Sequence, residues 1–371
     1  MNAPAAIMPE FDIAIIGAGF AGLAMGRALK KSGRENFIIL ERANAIGGTW
    51  RDNSYPGCAC DVPSRLYSYS FAQNPDWSRA YSPQPEILKY LERCTDEFDL
   101  RGKIRLGTDV RHASFDETRA LWHIQTSAGE ISARVLVGGL GPLNKPALPK
   151  IDGLDTFSGT AFHSAEWNHD YDLRGKRVAV IGTGASAIQF VPQIAPKVAQ
   201  LSVFQRTPPW ILPRPDRAFS PREKRLLRRF PIAQWLARSL IYWRSEMLAY
   251  GFTLNPDFLN FIEKLSRAYI DRAIHDPKLR EAVTPKFKVG CKRVLFSNDY
   301  YPALNRKNVE LVTDAISRVR PHSIITANGR EREFDAIIYG TGFRATDMLG
   351  TLQIAGRNGR NLNAEWNSSP Q

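Results

Sequence analysis

Residues 11–22 read Phe11-Asp-Ile-Ala-Ile-Ile-Gly17-Ala-Gly19-Phe-Ala-Gly22, and this stretch decides the fold of the amino-terminal part of the chain. An apolar run precedes the three glycines, and a second apolar run, residues 37–40, ends at Glu41. This order predicts a strand, a glycine turn, a helix and a second strand, with backbone N–H groups facing a pyrophosphate at the helix N-terminus. A lone glycine pattern is weak evidence, and the flanking apolar runs strengthen it. Glu41 would accept hydrogen bonds from a ribose diol.

Residues 177–187 repeat the pattern as Arg177-Val-Ala-Val-Ile-Gly182-Thr-Gly184-Ala-Ser186-Ala187, with alanine in place of the third glycine. Another apolar run, residues 201–204, follows, and Arg206 stands as far from Gly182 as Glu41 stands from Gly17. We therefore expect Glu41 and Arg206 to occupy equivalent positions. An arginine there attracts the 2′-phosphate of NADP. The two copies predict FAD at the first glycine turn and NADPH at the second.

The predicted fold is α/β, with two Rossmann-like dinucleotide-binding domains, for FAD and for NADP, and a helical insertion. We expect the first part of the FAD-binding domain at residues 1–145, which end in a glycine cluster and a proline-rich linker. The NADP-binding domain would follow in two parts, residues 146–208 and 290–338. Between them, residues 209–289 show helical, charged and aromatic periodicity and predict the insertion. Residues 339–371 would return the chain to the FAD domain.

The net charge of +13 is concentrated in residues 214–244. The overlapping segment 232–252 is apolar and aromatic but contains Arg238, Arg244 and Glu246, which disfavours a membrane-spanning helix. We expect a solvated helical face, with peripheral membrane contact as the alternative. No nucleic-acid motif accompanies the charge, so nucleic acid is not an expected partner.

The cysteines, the N-terminus and the histidines bear on the cellular compartment and on the presence of a metal site. Cys58, Cys60, Cys94 and Cys291 have no framework spacing, which agrees with a reducing compartment. The N-terminus leads almost directly into the first strand, so we expect no signal peptide and a cytoplasmic protein. The histidines show no ligand spacing, and no metal site is predicted. The sequence carries no indication of the oligomeric state.

Two further motifs carry a family resemblance. One contains, at the spacing F-x-G-x-x-x-H-x-x-x-W, the residues Phe157, Gly159, His163 and Trp167. The other contains Gly48, Thr49, Trp50, Tyr55 and Asp61. Both resemble the signatures of Baeyer–Villiger monooxygenases of the flavin-containing monooxygenase superfamily, the class B flavoprotein monooxygenases. The similarity spans essentially the whole chain, although Asn168 departs from the usual proline or aspartate.

This resemblance implies an oxidoreductase that depends on FAD and NADPH. Such a monooxygenase inserts one O₂-derived oxygen next to a carbonyl through a C4a-peroxyflavin and turns a small-molecule ketone into an ester or lactone. One alternative is a related flavin monooxygenase that oxygenates sulfur or nitrogen, since both groups share the dinucleotide motifs. In the family the chain continues well beyond Gly342, so we also expect that this chain lacks the C-terminal part. The alternative of another class is therefore a truncated, inactive FAD- and NADP-binding remnant.

Physical roles for the site residues can be argued independently. Oxygen transfer needs a fixed cation that stabilises developing negative charge, and Arg293 is the candidate because a guanidinium keeps its charge. Asp61 would orient Arg293 and balance its burial. Lys292 and Arg206 would hold the 2′-phosphate. The resemblance implies further cofactor-binding residues: Gly48, Thr49, Trp50, Asp61, Tyr67 and Ser186.

Two motif groups have structural interpretations instead. We expect His163 and Trp167 to lie in an interdomain linker, where they would couple domain motion rather than transfer protons. Cys58 and Cys60 form a C-x-C pattern. The redox-active pairs of flavin disulphide reductases have other spacings, so cysteine chemistry is disfavoured.

Overall fold

A computed structural model describes residues 9–255 and 259–366. The predicted lack of a signal peptide concerns residues 1–8, which lie outside the described residues. The chain divides into two compact units. The first contains Met1–Asp52, Ile87–Pro146 and Phe343–Gln371, and the second contains Asn53–Glu86 and Ala147–Gly342.

The two units contain both strands and helices. The strands, in chain order, are β1 Phe11–Ile16, β2 Phe37–Leu40, β3 Ile104–Arg105, β4 Val110–Asp116, β5 Leu121–Thr126, β6 Gly129–Gly138, β7 Thr160–His163, β8 Arg177–Ile181, β9 Gln200–Phe204, β10 Ile211–Leu212, β11 Leu295–Phe296, β12 Val309–Val312, β13 Ile316–Arg320, β14 Ser323–Thr326, β15 Glu331–Glu333, β16 Ala336–Tyr339 and β17 Gln353–Ala355. The α-helices are α1 Phe20–Lys31, α2 Thr49–Asp52, α3 Gln84–Glu97, α4 Ala187–Ile194, α5 Pro221–Arg229, α6 Pro231–Thr253, α7 Asn260–Ala273, α8 Pro277–Val283, α9 Tyr300–Leu304 and α10 Leu362–Trp366.

The first unit is built on a seven-stranded sheet in the order β17-β4-β5-β6-β1-β2-β3. β1 pairs in parallel with β2 and β6, whereas β4, β5 and β6 form an antiparallel meander. The apolar run of β2 is buried at every position, as is typical of parallel strands covered on both faces. Ile16, Leu40 and Ile124 belong to one buried core cluster of this unit.

The second unit repeats one end of that sheet, the strands β6-β1-β2-β3. Its five-stranded parallel sheet has the order β12-β9-β8-β16-β7. The neighbours β16-β8-β9-β12 correspond to β6-β1-β2-β3 of the first unit, so each glycine turn follows a central strand. The predicted α/β fold with two Rossmann-like units is confirmed.

Four helices, α5 to α8, form the predicted insertion in the second unit. α7 packs in an apolar cluster that includes Ile262 of the helix together with Leu259, Trp210 and Leu212. Within the described residues, no helix is long and apolar enough to cross a membrane. The same residues contain no cluster of three or more potential metal ligands.

The exposed side of the insertion differs from the expected solvated, charged face. Arginines of α5, among them Arg222 and Arg225, are exposed as predicted. α6, in contrast, exposes large apolar side chains, including Leu240, Trp243 and Met247. The prediction of a charged, solvated face therefore holds for α5, whereas α6 exposes mostly apolar side chains beside the exposed Arg244 and Glu246. The guanidinium of Arg238 instead donates to backbone carbonyls of residues 65–68.

Residues 53–86 also differ from expectation, since they belong to the second unit and not to the first. Hydrogen bonds explain this assignment. The Arg238 guanidinium donates to the carbonyls of Arg65, Leu66 and Ser68, and the Ala80 N–H donates to the carbonyl of Arg217. The segment is thus attached to the helical insertion. No local pattern in the sequence predicts this attachment.

Candidate functional site

The first glycine turn keeps its backbone bare because side chains cannot fit there. Gly17 has φ +99°, and a Cβ at this position would lie 2.6 Å from the carbonyl oxygen of Gly139. A Cβ at Gly22 would lie 1.8 Å from the carbonyl oxygen of Gly17. α1 starts directly after Gly19, whose carbonyl accepts the first helical hydrogen bond from the Leu23 N–H. The turn therefore leaves a helix N-terminus of the kind that can accept an anionic group.

The loop at residues 47–52 lies against this turn. The Gly47 N–H donates to the Ala18 carbonyl at 3.0 Å, and a Cβ at Gly48 would be 3.4 Å from the Cα of Gly19. Thr49 begins the short helix α2, in which Trp50 is buried. The structure thus brings Gly48, with Thr49 and Trp50 next to it in the chain, to the first glycine turn.

Glu41 follows β2 and is buried beside the same turn. Its carboxylate accepts hydrogen bonds from the Ala18 N–H at 2.9 Å, the Ala43 N–H at 3.0 Å and the Arg51 guanidinium at 3.0 Å. A carboxylate offers about four lone-pair positions. Glu41 therefore fixes the turn and keeps acceptor capacity for one further donor.

The second glycine turn has the same construction. Gly182 has φ +105°, and a Cβ there would lie 2.4 Å from the carbonyl oxygen of Gly340. The Ile188 N–H donates to the Gly184 carbonyl at 3.1 Å, as Leu23 does to Gly19 in the first turn. Ser186 immediately precedes α4, so it lies at the helix N-terminus where a phosphate group would bind.

Strand register distinguishes the two turns. The Gly17 N–H donates to the carbonyl of Leu40. If the two copies matched residue for residue, the Gly182 N–H would donate to the carbonyl of Gln205, but it donates to that of Phe204, one residue earlier. Consistently, Glu41 donates its N–H to Arg105 of β3, and Gln205 donates its N–H to Val312 of β12. The prediction that Glu41 and Arg206 are equivalent is therefore wrong, because the second copy reaches its strand one residue sooner.

Gln205, which residue counting does not identify, is the structural counterpart of Glu41. Gln205 is buried, and its side-chain amide donates to the Ala282 carbonyl at 2.8 Å. Its side-chain oxygen has no hydrogen-bond partner in the described part of the chain. The second site thus has a neutral acceptor where the first has a carboxylate. A comparison of strand register, rather than residue counting, is the signal that identifies it.

The two predicted phosphate-binding cations are both exposed. Arg206 directly follows Gln205, and Lys292 has its Nζ 5.3 Å from the ring centre of Phe287. Across residues 9–255 and 259–366, neither cation forms an ion pair with a carboxylate. Their charges therefore remain available to an anionic ligand.

Asp61 and Arg293, which are far apart in sequence, form an ion pair within the second unit. The expectation that Asp61 balances the burial of Arg293 is wrong, because the Arg293 side chain is 64% exposed and that of Asp61 is 21% exposed. Asp61 instead orients a solvent-accessible cation. Tyr67 lies on the loop after Asp61 and is half-buried; the part of both residues in cofactor binding stays a prediction.

Gln189 on α4 is a second residue that sequence reasoning missed. Its side-chain oxygen accepts from the Tyr55 hydroxyl at 3.0 Å and from the Ala59 N–H at 3.3 Å, and its amide donates to the Ala59 carbonyl at 3.0 Å. These bonds attach the loop that leads to Asp61 to the helix of the second glycine turn. Its partners are about 130 residues away, so no local pattern could identify them.

The cysteines of this loop are poorly suited to thiol chemistry. Cys58 and Cys60 are buried free thiols. Burial raises the pKa of each thiol to about 12. Both are therefore protonated near neutral pH, and a thiol is a weak nucleophile.

The signature motif does not lie in a linker, contrary to expectation. Thr160–His163 form β7, an edge strand that pairs in parallel with β16 of the second sheet. Gly159 precedes this strand, and a Cβ there would lie 2.6 Å from the carbonyl oxygen of Asp335. Phe157 packs against the core of the second unit. The motif is therefore part of the sheet edge. The sequence does not indicate a strand there, because the motif contains no long apolar run.

His163 ends β7 in a buried position. Its Nδ1 accepts a hydrogen bond from the Ala165 N–H at 3.1 Å, which leaves the proton of the neutral ring on Nε2. Burial lowers the pKa of His163 below its usual value. The Trp167 ring packs 5.3 Å from that of Phe190 on α4. A neutral, packed histidine agrees with a structural role for the motif.

Comparison with known proteins gives matches over nearly the whole chain. The family model described as "Pyridine nucleotide-disulphide oxidoreductase" matches residues 14–233. A Baeyer–Villiger monooxygenase of Pseudomonas aeruginosa is 49% identical over 360 residues, which cover 97% of this chain and 68% of that protein.

Solved structures agree in fold. An oxidized steroid monooxygenase bound to NADP is 34% identical and superposes with a TM-score of 0.85, covering 97% of this chain and 77% of the other. The OTEMO complex with FAD and NADP (form 2) is 31% identical, with a TM-score of 0.87 and coverages of 98% and 76%. The chain therefore belongs to the pyridine nucleotide-disulphide oxidoreductase family and, within it, to the Baeyer–Villiger monooxygenases.

Proposed function

We propose that this chain is an FAD- and NADPH-dependent monooxygenase that inserts one oxygen atom of O₂ next to the carbonyl of a small ketone. The observation that carries this proposal is the difference between its two glycine turns. A buried carboxylate, Glu41, accompanies the first, whereas a neutral glutamine and an exposed arginine, which forms no ion pair with the described carboxylates, accompany the second. One chain thus offers sites for two dinucleotides of different charge.

The residues of the first turn fit FAD. The bare backbone at Gly17, Gly19 and Gly22 leaves room for a pyrophosphate against the N-terminus of α1. Glu41 has one acceptor position left for a ribose hydroxyl. Gly48, Thr49 and Trp50 would line the same site.

The residues of the second turn fit NADPH. Gly182, Gly184 and Ser186 would hold the pyrophosphate at the N-terminus of α4. The unsatisfied side-chain oxygen of Gln205 is suited to a ribose hydroxyl, and its lack of charge avoids repulsion of a 2′-phosphate. Arg206 and Lys292 would supply the positive charges for that phosphate.

When bound, FAD supplies the oxygen-activating chemistry and NADPH supplies the hydride. Arg293 would contribute a permanent positive charge, suited to stabilise negative charge that develops during oxygen transfer. Asp61 fixes the direction of the guanidinium through their ion pair. Gln189 holds the loop on which Asp61 lies, and His163 and Trp167 stabilise the sheet edge.

The reaction is tested by supplying a ketone and a sulfide to the FAD-loaded chain with NADPH and O₂ and identifying the products. Ester or lactone is the expected product. Formation of sulfoxide without ester would contradict oxygen insertion next to a carbonyl and support sulfur oxygenation.

The role of Arg293 is tested by Arg293→Ala. NADPH should still reduce the flavin, while ester formation falls by about 10²-fold or more, the loss typical for a group that stabilises transition-state charge. Arg111→Ala, at another exposed arginine, is the matched control and should leave both steps unchanged. Full oxygenation with slow flavin reduction in Arg293→Ala would reverse the assignment.

A further inference from the structure

Helix α6 carries a continuous row of exposed apolar side chains. They recur every three or four residues, so they lie on one side of the helix. This row, called the apolar stripe below, consists of Ile232, Leu236, Leu240, Trp243, Met247, Tyr250 and Leu254, the last at the C-cap. Each of these residues is between 51% and 74% exposed. A contiguous exposed apolar surface of this kind marks an interaction site.

The other side of α6 is attached to the second unit. Gln234 donates to the Leu227 carbonyl at 2.8 Å, and Arg238 donates to three carbonyls of residues 65–68. Leu248 packs against the apolar cluster of the insertion. α6 is therefore held in one orientation, with the apolar stripe on the side away from these contacts.

Positive charge accompanies the stripe. Residues 221–254 contain seven basic and two acidic side chains, a net charge of +5. On α5, which leads directly into α6, three exposed arginines form no ion pair with a carboxylate of the described chain: Arg222, Arg225 and Arg229. Leu226 and Phe230 are exposed in the same segment, so apolar side chains accompany these arginines.

We propose that α5 and α6 dock this protein on the surface of an anionic lipid bilayer. The apolar stripe would enter the boundary between headgroups and acyl chains, and the free arginines of α5 would contact the anionic headgroups. Trp243 and Tyr250 are residue types that favour this interface. The helix would lie in the membrane plane, since no described helix is suited to span a bilayer.

Charge complementarity favours lipid over a second copy of this chain. Each copy carries a net charge of +13, so self-association through a basic segment is opposed by repulsion, whereas an anionic surface attracts the same segment. An exposed apolar surface without basic neighbours would give no such preference.

The test is flotation of the full chain with vesicles of phosphatidylcholine that contain about one third phosphatidylglycerol, against vesicles of phosphatidylcholine alone. We expect binding to the anionic vesicles that weakens as salt increases. Leu236→Ser with Leu240→Ser should reduce binding by about tenfold or more, because two inserted side chains are lost. Leu106→Ser with Leu148→Ser, at exposed leucines outside the insertion, is the matched control and should bind as the unaltered chain does.

A second variant tests the headgroup contacts. Arg222→Gln, Arg225→Gln and Arg229→Gln together should lower binding to anionic vesicles by about tenfold or more and flatten its salt dependence. Circular dichroism and urea midpoints establish that the variants fold. The proposal is overturned if the chain fails to bind anionic vesicles, or if the leucine variant binds undiminished. A dimer that only the leucine variant dissociates, without vesicle binding, would assign the stripe to a second copy instead.

Discussion

The two glycine turns of this chain share one backbone design and differ in the charge placed beside it. In each, the first glycine approaches a carbonyl of a neighbouring loop, Gly139 in one unit and Gly340 in the other. Beside the first turn lies the buried, triply hydrogen-bonded carboxylate of Glu41. Beside the second lie a neutral Gln205 and the exposed Arg206. We therefore expect the backbone to set pyrophosphate binding, and one or two side chains to set which dinucleotide is accepted.

The charged residue beside each turn also differs in how much it contributes to the stability of the fold. Glu41 accepts hydrogen bonds from three donors in its surroundings, so it stabilises the fold whether or not a ligand is bound. Arg206 has no carboxylate partner among the described residues and can be removed without leaving a buried group unpaired. Ligand selectivity should therefore be easier to change at the second site than at the first.

The largest expected effect is at the third position of each turn. Gly22→Ala places a methyl group 1.8 Å from a backbone oxygen, so we expect a loss of about 3 kcal/mol in the free energy of unfolding and weaker FAD binding. Ala187→Gly, the reciprocal change, should cost only about 1 kcal/mol. Urea unfolding of both variants measures the difference. Equal costs would show that the turn around Gly22 can accept a methyl group, as the second turn does at Ala187, and would contradict the predicted clash.

Glu41→Gln should come next. An amide has one acceptor oxygen and a donor group, so at least one of the three donors around Glu41 loses its partner, at a cost of about 2 kcal/mol. FAD affinity should fall with it, while NADPH affinity stays unchanged. Calorimetric titration and urea unfolding measure both. An unchanged stability would mean that the carboxylate serves only the ligand.

The charge selectivity of the second site is tested by Arg206→Ala and Gln205→Glu. Arg206→Ala should weaken NADPH binding by about 1.5–3 kcal/mol and leave NADH nearly unchanged. Gln205→Glu, which imitates Glu41, should shift the ratio of NADPH to NADH affinity by about tenfold towards NADH, because a carboxylate repels the 2′-phosphate. Arg318→Ala, at another exposed arginine of the unit, is the control. Equal losses for both coenzymes would refute the phosphate contact.

The smallest effect is expected at Gln189, whose counterpart in the first copy is Ala24. Gln189→Ala removes hydrogen bonds to the Tyr55 hydroxyl and to the backbone of Ala59. We expect a loss of about 1–2 kcal/mol in stability. Ester formation should fall with little change in NADPH affinity, because the loop that carries Asp61 is released. Ala24→Ser is the control at the equivalent helical position. A selective loss of NADPH affinity would place Gln189 in the coenzyme site instead.

Local patterns in the sequence predict the features that depend on neighbouring residues. Apolar runs and glycines predict both strand–turn–helix units, because a strand buried on both faces requires apolar residues and a tight backbone turn requires glycine. No residue type in the sequence indicates the register of β9, so residue counting predicts Arg206 at the position that Gln205 occupies. The position of Gln189 opposite Ala59, and the attachment of residues 53–86 to the second unit, depend on contacts between distant segments. Which side of α6 is exposed also depends on such distant contacts, since Arg238 donates to carbonyls of residues 65–68.

The central claim, two sites of opposite charge preference, is tested most directly by calorimetric titration of the chain with FAD and then, at FAD saturation, with NADPH. We expect both ligands to bind at once, with Glu41→Gln weakening only FAD and Arg206→Ala weakening only NADPH. Displacement of one ligand by the other, or equal weakening of both ligands by either variant, would contradict the claim.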